Sequence, residues 1–236
     1  MTLPVLIRLK KTKRTNRSFK PYPGKPDPKK AVSRKPPTED DRARQVVAQE
    51  AARIIVDQGL RDYRVAKLKA AERLGMNSRG ALPGNAEIEQ AITEHLTLFS
   101  GESHPELLLR MRTVALSAMD LLQDFSPRLV GPVLAGTADE NSAINLHVFA
   151  DSSEEVALYL DARNIACRLY ERRLKRQRGR NVQPDVFPGY EFKFEHEPVE
   201  ATVFPVDGIR QAPISPIDGK PMRRADAKSV RALLDE

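Results

Sequence analysis

The feature that most constrains this chain is a change of hydrophobic period at Pro127. Before it, apolar residues recur at the three- and four-residue spacing of a helix face; after it, short β-rich runs dominate. TEDDRARQVVAQEAARIIVDQG puts Val46, Val47, Ala51, Ile54 and Ile55 on one stripe, with Gly59 as a stop. Asp62 is placed to cap DYRVAKLKAAERLG, where Tyr63, Ala66, Leu68 and Ala70 offer packing surface before Gly75. A Pro83-Gly84-Asn85 turn opens a third helix carrying Ile88, Ala91, Ile92 and Phe99. Ser103 and Glu106 stand at capping-box spacing with Pro105 in the first turn, ahead of LLLRMRTVALSAMDLLQDF. The runs RLVGPVLAG, INLHVFAD, IACRLYERRL, YEFKFEH and VEATVFPV then read as strands. Ser152 and Glu155 form a second capping-box pattern before the helix EEVALYLDARN, and Asp226 can cap a last helix, DAKSVRALLDE. Helices first and strands with interspersed helices afterwards imply an α+β fold: a mixed sheet with flanking helices over 103–236, preceded by a small helical subdomain over 41–100.

Charge sets the first forty residues apart. They hold twelve Lys/Arg against Asp27, Glu39 and Asp40, a net of +9, which leaves −2 for the remainder of a chain whose formal total is +7. Segments such as PYPGKPDPKK and SRKPP bury too little apolar area to offset the entropy of ordering, so 1–40 is expected to be disordered. Two readings stand equal for it: an electrostatic arm for RNA or another polyanion, and a solubilising tail. No apolar run approaches the roughly 18 residues of a membrane span, and the N-terminal apolar stretch is too short for a signal core, so a cytoplasmic protein is expected. The single cysteine, Cys167, has no disulfide partner and, in a strand-like run, is expected to be a buried thiol.

One segment carries chemistry. Val130-Gly131-Pro132-Val133-Leu134-Ala135-Gly136-Thr137-Ala138-Asp139-Glu140-Asn141-Ser142-Ala143-Ile144-Asn145-Leu146 resembles the minimal nucleotidyltransferases of the polymerase-β superfamily. Members of that group have a Gly-Ser, a second glycine five positions after the first, and a closing Ser-Asp-Ile-Asp-Leu. Gly131, Gly136, Ser142, Ile144 and Leu146 match without a gap, and Val199-Glu200-Ala201-Thr202-Val203 falls where the family has its third carboxylate. The resemblance covers roughly 103–205. The chain also looks like a group of short bacterial proteins sharing the RLVGPVL, LHVFAD and APISPIDGKPMRRA phrases, some of which go under the name UDP-N-acetylmuramate–alanine ligase. That name does not fit this chain, which has no GxxGK[ST] phosphate loop and is too short for a three-domain ligase.

The resemblance implies transfer of a nucleotidyl group from an NTP to an acceptor, with Mg²⁺ clamping the attacking and leaving oxygens. Two aspartates at i and i+2 on a strand project to one side and hold the ions. Here those positions are Ala143 and Asn145, and the phosphate-binding serine is Pro132. Glu200 alone keeps a carboxylate. The resemblance therefore assigns Glu200 to metal binding and catalysis, and Gly131, Gly136, Thr137, Ser142 and Asn145 to the nucleotide. His147 shares the face of Asn145. It is either an acid, base or metal ligand with Asp151 and Glu200, or a hydrogen-bonded sheet histidine; Asp151 is otherwise a helix cap. The cationic run Arg172–Arg180 is read as a phosphate or RNA contact, or else as a solvated loop. The Pro-rich segment 208–224 is expected to lie over a pocket, with Arg210 and Arg224 as candidate anion ligands. Two functions follow: nucleotidyl transfer to an unknown acceptor, or a catalytically degenerate nucleotide- or RNA-binding module.

Overall fold

A computed structural model describes residues 38–76, 82–99, 103–179 and 181–235. Pro37–Glu236 forms one compact unit. The expectation of disorder over 1–40 falls almost entirely outside the described residues. Its last three, Thr38–Asp40, are ordered: Thr38 caps the first helix through a reciprocal bond pair with Asp41.

Three helices come first: α1 (Glu39–Gln58), α2 (Tyr63–Arg73) and α3 (Asn85–Phe99). Gly59 ends α1 at φ 62°, a left-handed cap that a Cβ would strain, and Asp62 caps α2 by accepting from the N–H of Arg64 and Val65. Their apolar faces form a separate cluster built on Val47, Ala51, Ile54, Ala66, Ile88 and Ile92. The expected stripes are shifted slightly. Val46, Leu68 and Phe99 are exposed, while Ala48, Ala71 and Leu96 are buried in their place, because only one 100°-wide face of each short helix meets its neighbours.

The sheet domain begins with α4 (Ser103–Leu121) and a 3-10 turn at Gln123–Phe125. It continues with β1 (Arg128–Val130), α5 (Gly131–Ala135), β2 (Ile144–Phe149), α6 (Ser153–Asp161), β3 (Cys167–Leu174), β4 (Asp185–Phe194), β5 (Glu197–Phe204) and α7 (Ala227–Ala232). Strand order is β1-β2-β5-β4-β3, with β2 and β5 parallel and all other pairs antiparallel. The chain is thus α+β, with a five-stranded mixed sheet and flanking helices. One face, with Ile144, Leu146, Val148, Val199, Ala201 and Val203, packs under α4, α6 and α7.

Four local expectations are corrected. RLVGPVLAG is not one strand: after Val130 the chain turns into α5, with Pro132 in its first turn and Gly136 as a left-handed cap at φ 83°. Ser152 stands at the N-cap of α6 but makes no side-chain cap bond. Cys167 is exposed, because β3 is the sheet's outer strand and its first residues face solvent. The basic run is not wholly a loop, since Arg172, Arg173 and Leu174 belong to β3.

β4 is longer than its sequence advertises, because Pro188 and Gly189 sit inside it. Pro188 is tolerated because the β5 ladder begins only at Gly189, so its missing N–H deprives no neighbour on that side. Gly189 has its own reason. The ring of Tyr170 lies across it, with Cζ only 2.4 Å from where a Cβ would stand.

Candidate functional site

The second face of the sheet carries a graded row of side chains. At one end Phe149, Leu174, Phe187 and Phe204 form a small apolar cluster under Ile209 and Met222. In the middle lie His147 and Thr202, each 1% exposed and opposite one another in register. At the other end Asn145 and Glu200 are also register partners, so the strand pairing itself places them side by side.

Glu200 is held from two directions. Arg61, in the loop between α1 and α2, donates Nη1 to Oε1 at 2.6 Å and Nη2 to the Asn141 carbonyl at 3.3 Å. Arg172, reaching in from β3, donates Nη2 to Glu200 Oε2 and Nη1 to Asn145 Oδ1 at 3.0 Å. Asn145 donates its Nδ2 to the Ala143 carbonyl at 2.9 Å. Both oxygens of the one remaining carboxylate, and the carbonyl of the asparagine, therefore face guanidinium groups. Magnesium needs several hard, anionic oxygens converging in near-octahedral geometry. Ala143 supplies no oxygen from its side chain, Asn145 supplies no charge, and Glu200 is already neutralised. This donor set does not fit a two-metal centre, and two guanidinium groups lie against the carboxylate that would hold the ion.

His147 and Asp151 do not complete a metal site with Glu200. Asp151 is exposed beyond the far end of β2, more than about 15 Å along the strand from Asn145. Among the described residues no group of three His, Cys, Asp or Glu is placed to hold an ion. His147 is instead a satisfied sheet histidine. Its Nδ1 accepts from Arg224 Nε at 3.0 Å, and its ring packs on Phe204 at 4.5 Å. Burial, with help from Arg224 and Arg172, holds its pKa well below the ordinary 6.5, so it stays neutral with the proton on Nε2.

A pocket of about 470 Å³ opens beside Asn145 and Arg172, between the three-helix part and the sheet. Gly131, Thr137, Ser142, Ala143 and Asn145 are among the residues that line it. Gly131 has φ 74°, and a Cβ there would press on Asn145 Nδ2 at 3.3 Å, so only glycine keeps this corner open. The hydroxyl of Ser142 is used inside its own loop, donating to Asp139 Oδ1 at 2.8 Å. Thr137 donates to Glu89 Oε1 at 2.8 Å, and the Tyr63 hydroxyl donates to Glu89 Oε2. Gly136 does not reach the pocket; its open side faces Leu108 and Arg112.

The Pro-rich segment covers part of this pocket through Ser215–Asp218 and Pro221–Arg223. It is folded back on itself by an Ile214–Pro221 bridge and tied to α3 by Asn85 Nδ2, which donates to the Pro216 carbonyl at 2.8 Å. Its arginines are not those expected. Arg210 is exposed outside the pocket lining. Arg224 turns into the sheet and donates Nη1 to the Gly208 carbonyl at 2.8 Å, its guanidinium lying 4.9 Å from the Phe204 ring centre. Burial pulls its pKa down to about 10. Its neighbour Arg223 is the one lining the pocket. The basic run divides similarly. Arg172 enters the site, Arg176 pairs with Asp185 across the hairpin, Lys175 reaches the Gly179 carbonyl, and Arg180 lies outside the described residues.

Arg61 and Glu89 carry no motif and are not singled out by the sequence. Arg61 lies 139 positions from Glu200, and only the packing of the helical part against the sheet joins them. Scans against protein-family models and searches of curated proteins and solved structures find no match to this chain. Among the described residues no helix is long and apolar enough to cross a membrane.

Proposed function

We propose that this chain is a nucleotidyltransferase-like protein of the degenerate kind, binding a nucleotide-type ligand in the pocket beside Gly131 and Asn145 without divalent metal. The observation that carries the reading is the clamping of Glu200 between Arg61 and Arg172. Fixed cations then occupy the side of the pocket where the family keeps its ions, and can meet a ligand phosphate directly. The order β1, short helix, β2, and the in-register pairing of Asn145 with Glu200, support descent from the nucleotidyltransferase arrangement. Transfer to an acceptor is the less supported alternative, because the positions that the resemblance assigns to metal carry the wrong donors. His147, the candidate base, is 1% exposed and already bonded to Arg224. The cations of residues 1–36 remain the proposed source of any RNA or polyanion affinity.

Titrating each nucleotide into the full chain by calorimetry, in chelator and then in magnesium, tests the reading. Binding that survives chelator, with no transfer of label from an NTP to RNA or protein, is the expected result. Magnesium-dependent label transfer abolished by Glu200→Ala would overturn it.

A further inference from the structure

Resting on that reading, we infer that the pocket is built for a nucleoside carrying a single phosphate rather than a triphosphate. The pocket has two poles. Arg172, bonded to Asn145, and Arg61 form a cationic pole beside Gly131. Glu89 forms an anionic one beside Thr137. The cationic pole stands at the start of α5 and the anionic one just past its Gly136 cap, where the chain turns back and the Thr137 N–H bonds the Pro132 carbonyl at 3.0 Å. Such poles suit a phosphate at one end of a ligand and hydroxyl or amine donors at the other. Ile92, Leu134 and Ile217 also line the pocket and offer an apolar surface for a ring system.

The charge balance sets the number of phosphates. The ionisable residues lining the pocket are Arg61, Arg172 and Arg223 against Glu89, Asp139 and Asp218, with Glu200 against the first two arginines. This set sums to −1, three arginines against four carboxylates. At their own pole Arg61 and Arg172 exceed Glu200 by one positive charge, which offsets part of the charge of one phosphate monoester, about −1.5 to −2, and leaves nothing for a second. Two further phosphoryl groups would lie in the same pocket as Glu89, Asp139 and Asp218 with no metal to screen them. At the other pole Glu89 is an acceptor already taking two hydroxyl donors, and a carboxylate has room for more. A ribose diol or a base amine supplies that donor.

Calorimetric titration of the full chain in chelator, with each nucleoside monophosphate, its triphosphate, the bare nucleoside and inorganic phosphate, decides the matter. At least one monophosphate is expected to bind about tenfold more tightly than its triphosphate and than inorganic phosphate. Arg172→Gln should remove the advantage of monophosphate over nucleoside, and Glu89→Gln should weaken both ligands alike. Arg61→Gln, at an exposed side chain, repeats the first test should the Arg172 variant not fold. A triphosphate that binds more tightly, or inorganic phosphate that binds as well as the monophosphate, overturns this inference and leaves the metal-free binding module standing. Failure of every nucleotide to bind overturns both.

Discussion

Replacing Glu200 by glutamine separates the two arginines that hold it. The Glu200 side chain is 11% exposed, that of Arg172 is 32% and that of Arg61 is 61%. A charge-assisted bond in the sheltered part of the site contributes about 1.5–3 kcal/mol, whereas a pair with an arm as exposed as Arg61 contributes about 0.2–1 kcal/mol. Glutamine keeps an acceptor oxygen but leaves the Arg172 charge without its counter-ion. The loss should stay below the roughly 3–5 kcal/mol of a fully buried broken pair, near 2–3 kcal/mol. For a unit of roughly 200 residues that lowers the melting temperature by about 4–12 °C. A double-mutant cycle by urea unfolding should assign most of the coupling to Arg172 and less than about 1 kcal/mol to Arg61. Equal coupling to both arginines would refute the reasoning. So would a wild-type melting temperature raised by magnesium and left unmoved by it in the Glu200 variant, since Glu200 would then be holding an ion.

The remaining predictions concern the supports of the site. His147 is neutral when folded and ordinarily titrates near 6.5, so the unfolded chain takes up a proton that the folded one refuses as pH falls below that value. The contribution of His147 to stability is therefore present above pH 6.5 and lost on acidification, and His147→Gln should flatten the fall in urea midpoint that wild type shows there. Arg224→Met removes the guanidinium that lies over Phe149 and Phe204 and unpairs the Gly208 carbonyl and His147 Nδ1; a loss of about 2–3 kcal/mol in the same assay is expected, without a change in ligand affinity. Gly189→Ala drives the Tyr170 ring off the strand and breaks its bond to Thr202. With no tryptophan in the chain, the near-ultraviolet tyrosine signal should report this directly. Deleting residues 1–36, which spares the Thr38 cap, should reduce affinity for an RNA homopolymer and the steepness of its salt dependence; unchanged binding would assign the polyanion contact elsewhere.

By itself the sequence determined what depends on neighbours in the chain. The change of period at Pro127, the glycine at 59 and the caps at Asp62 and Asp226 all act within a few residues, and each element they announce is there. The resemblance singled out Asn145 and Glu200, but that they are register partners is a result of the parallel pairing of β2 with β5. Tertiary structure decided what those positions face. Arg61 reaches Glu200 across 139 positions, Glu89 meets Thr137 across 48, and Arg224 rather than a ligand satisfies His147. Hydrogen-bond partners so distant leave no spacing to read, because the chain between them folds into other elements. Cys167 and Val46 were misplaced for a related reason: a local pattern gives a side chain's face, but only packing decides whether that face is covered. The glycine corner at 131 and the residue types at 143, 145 and 200 are thus matters of sequence. That the altered site is held by arginines, beside a pocket with one cationic and one anionic end, is a matter of how two parts of the chain come together.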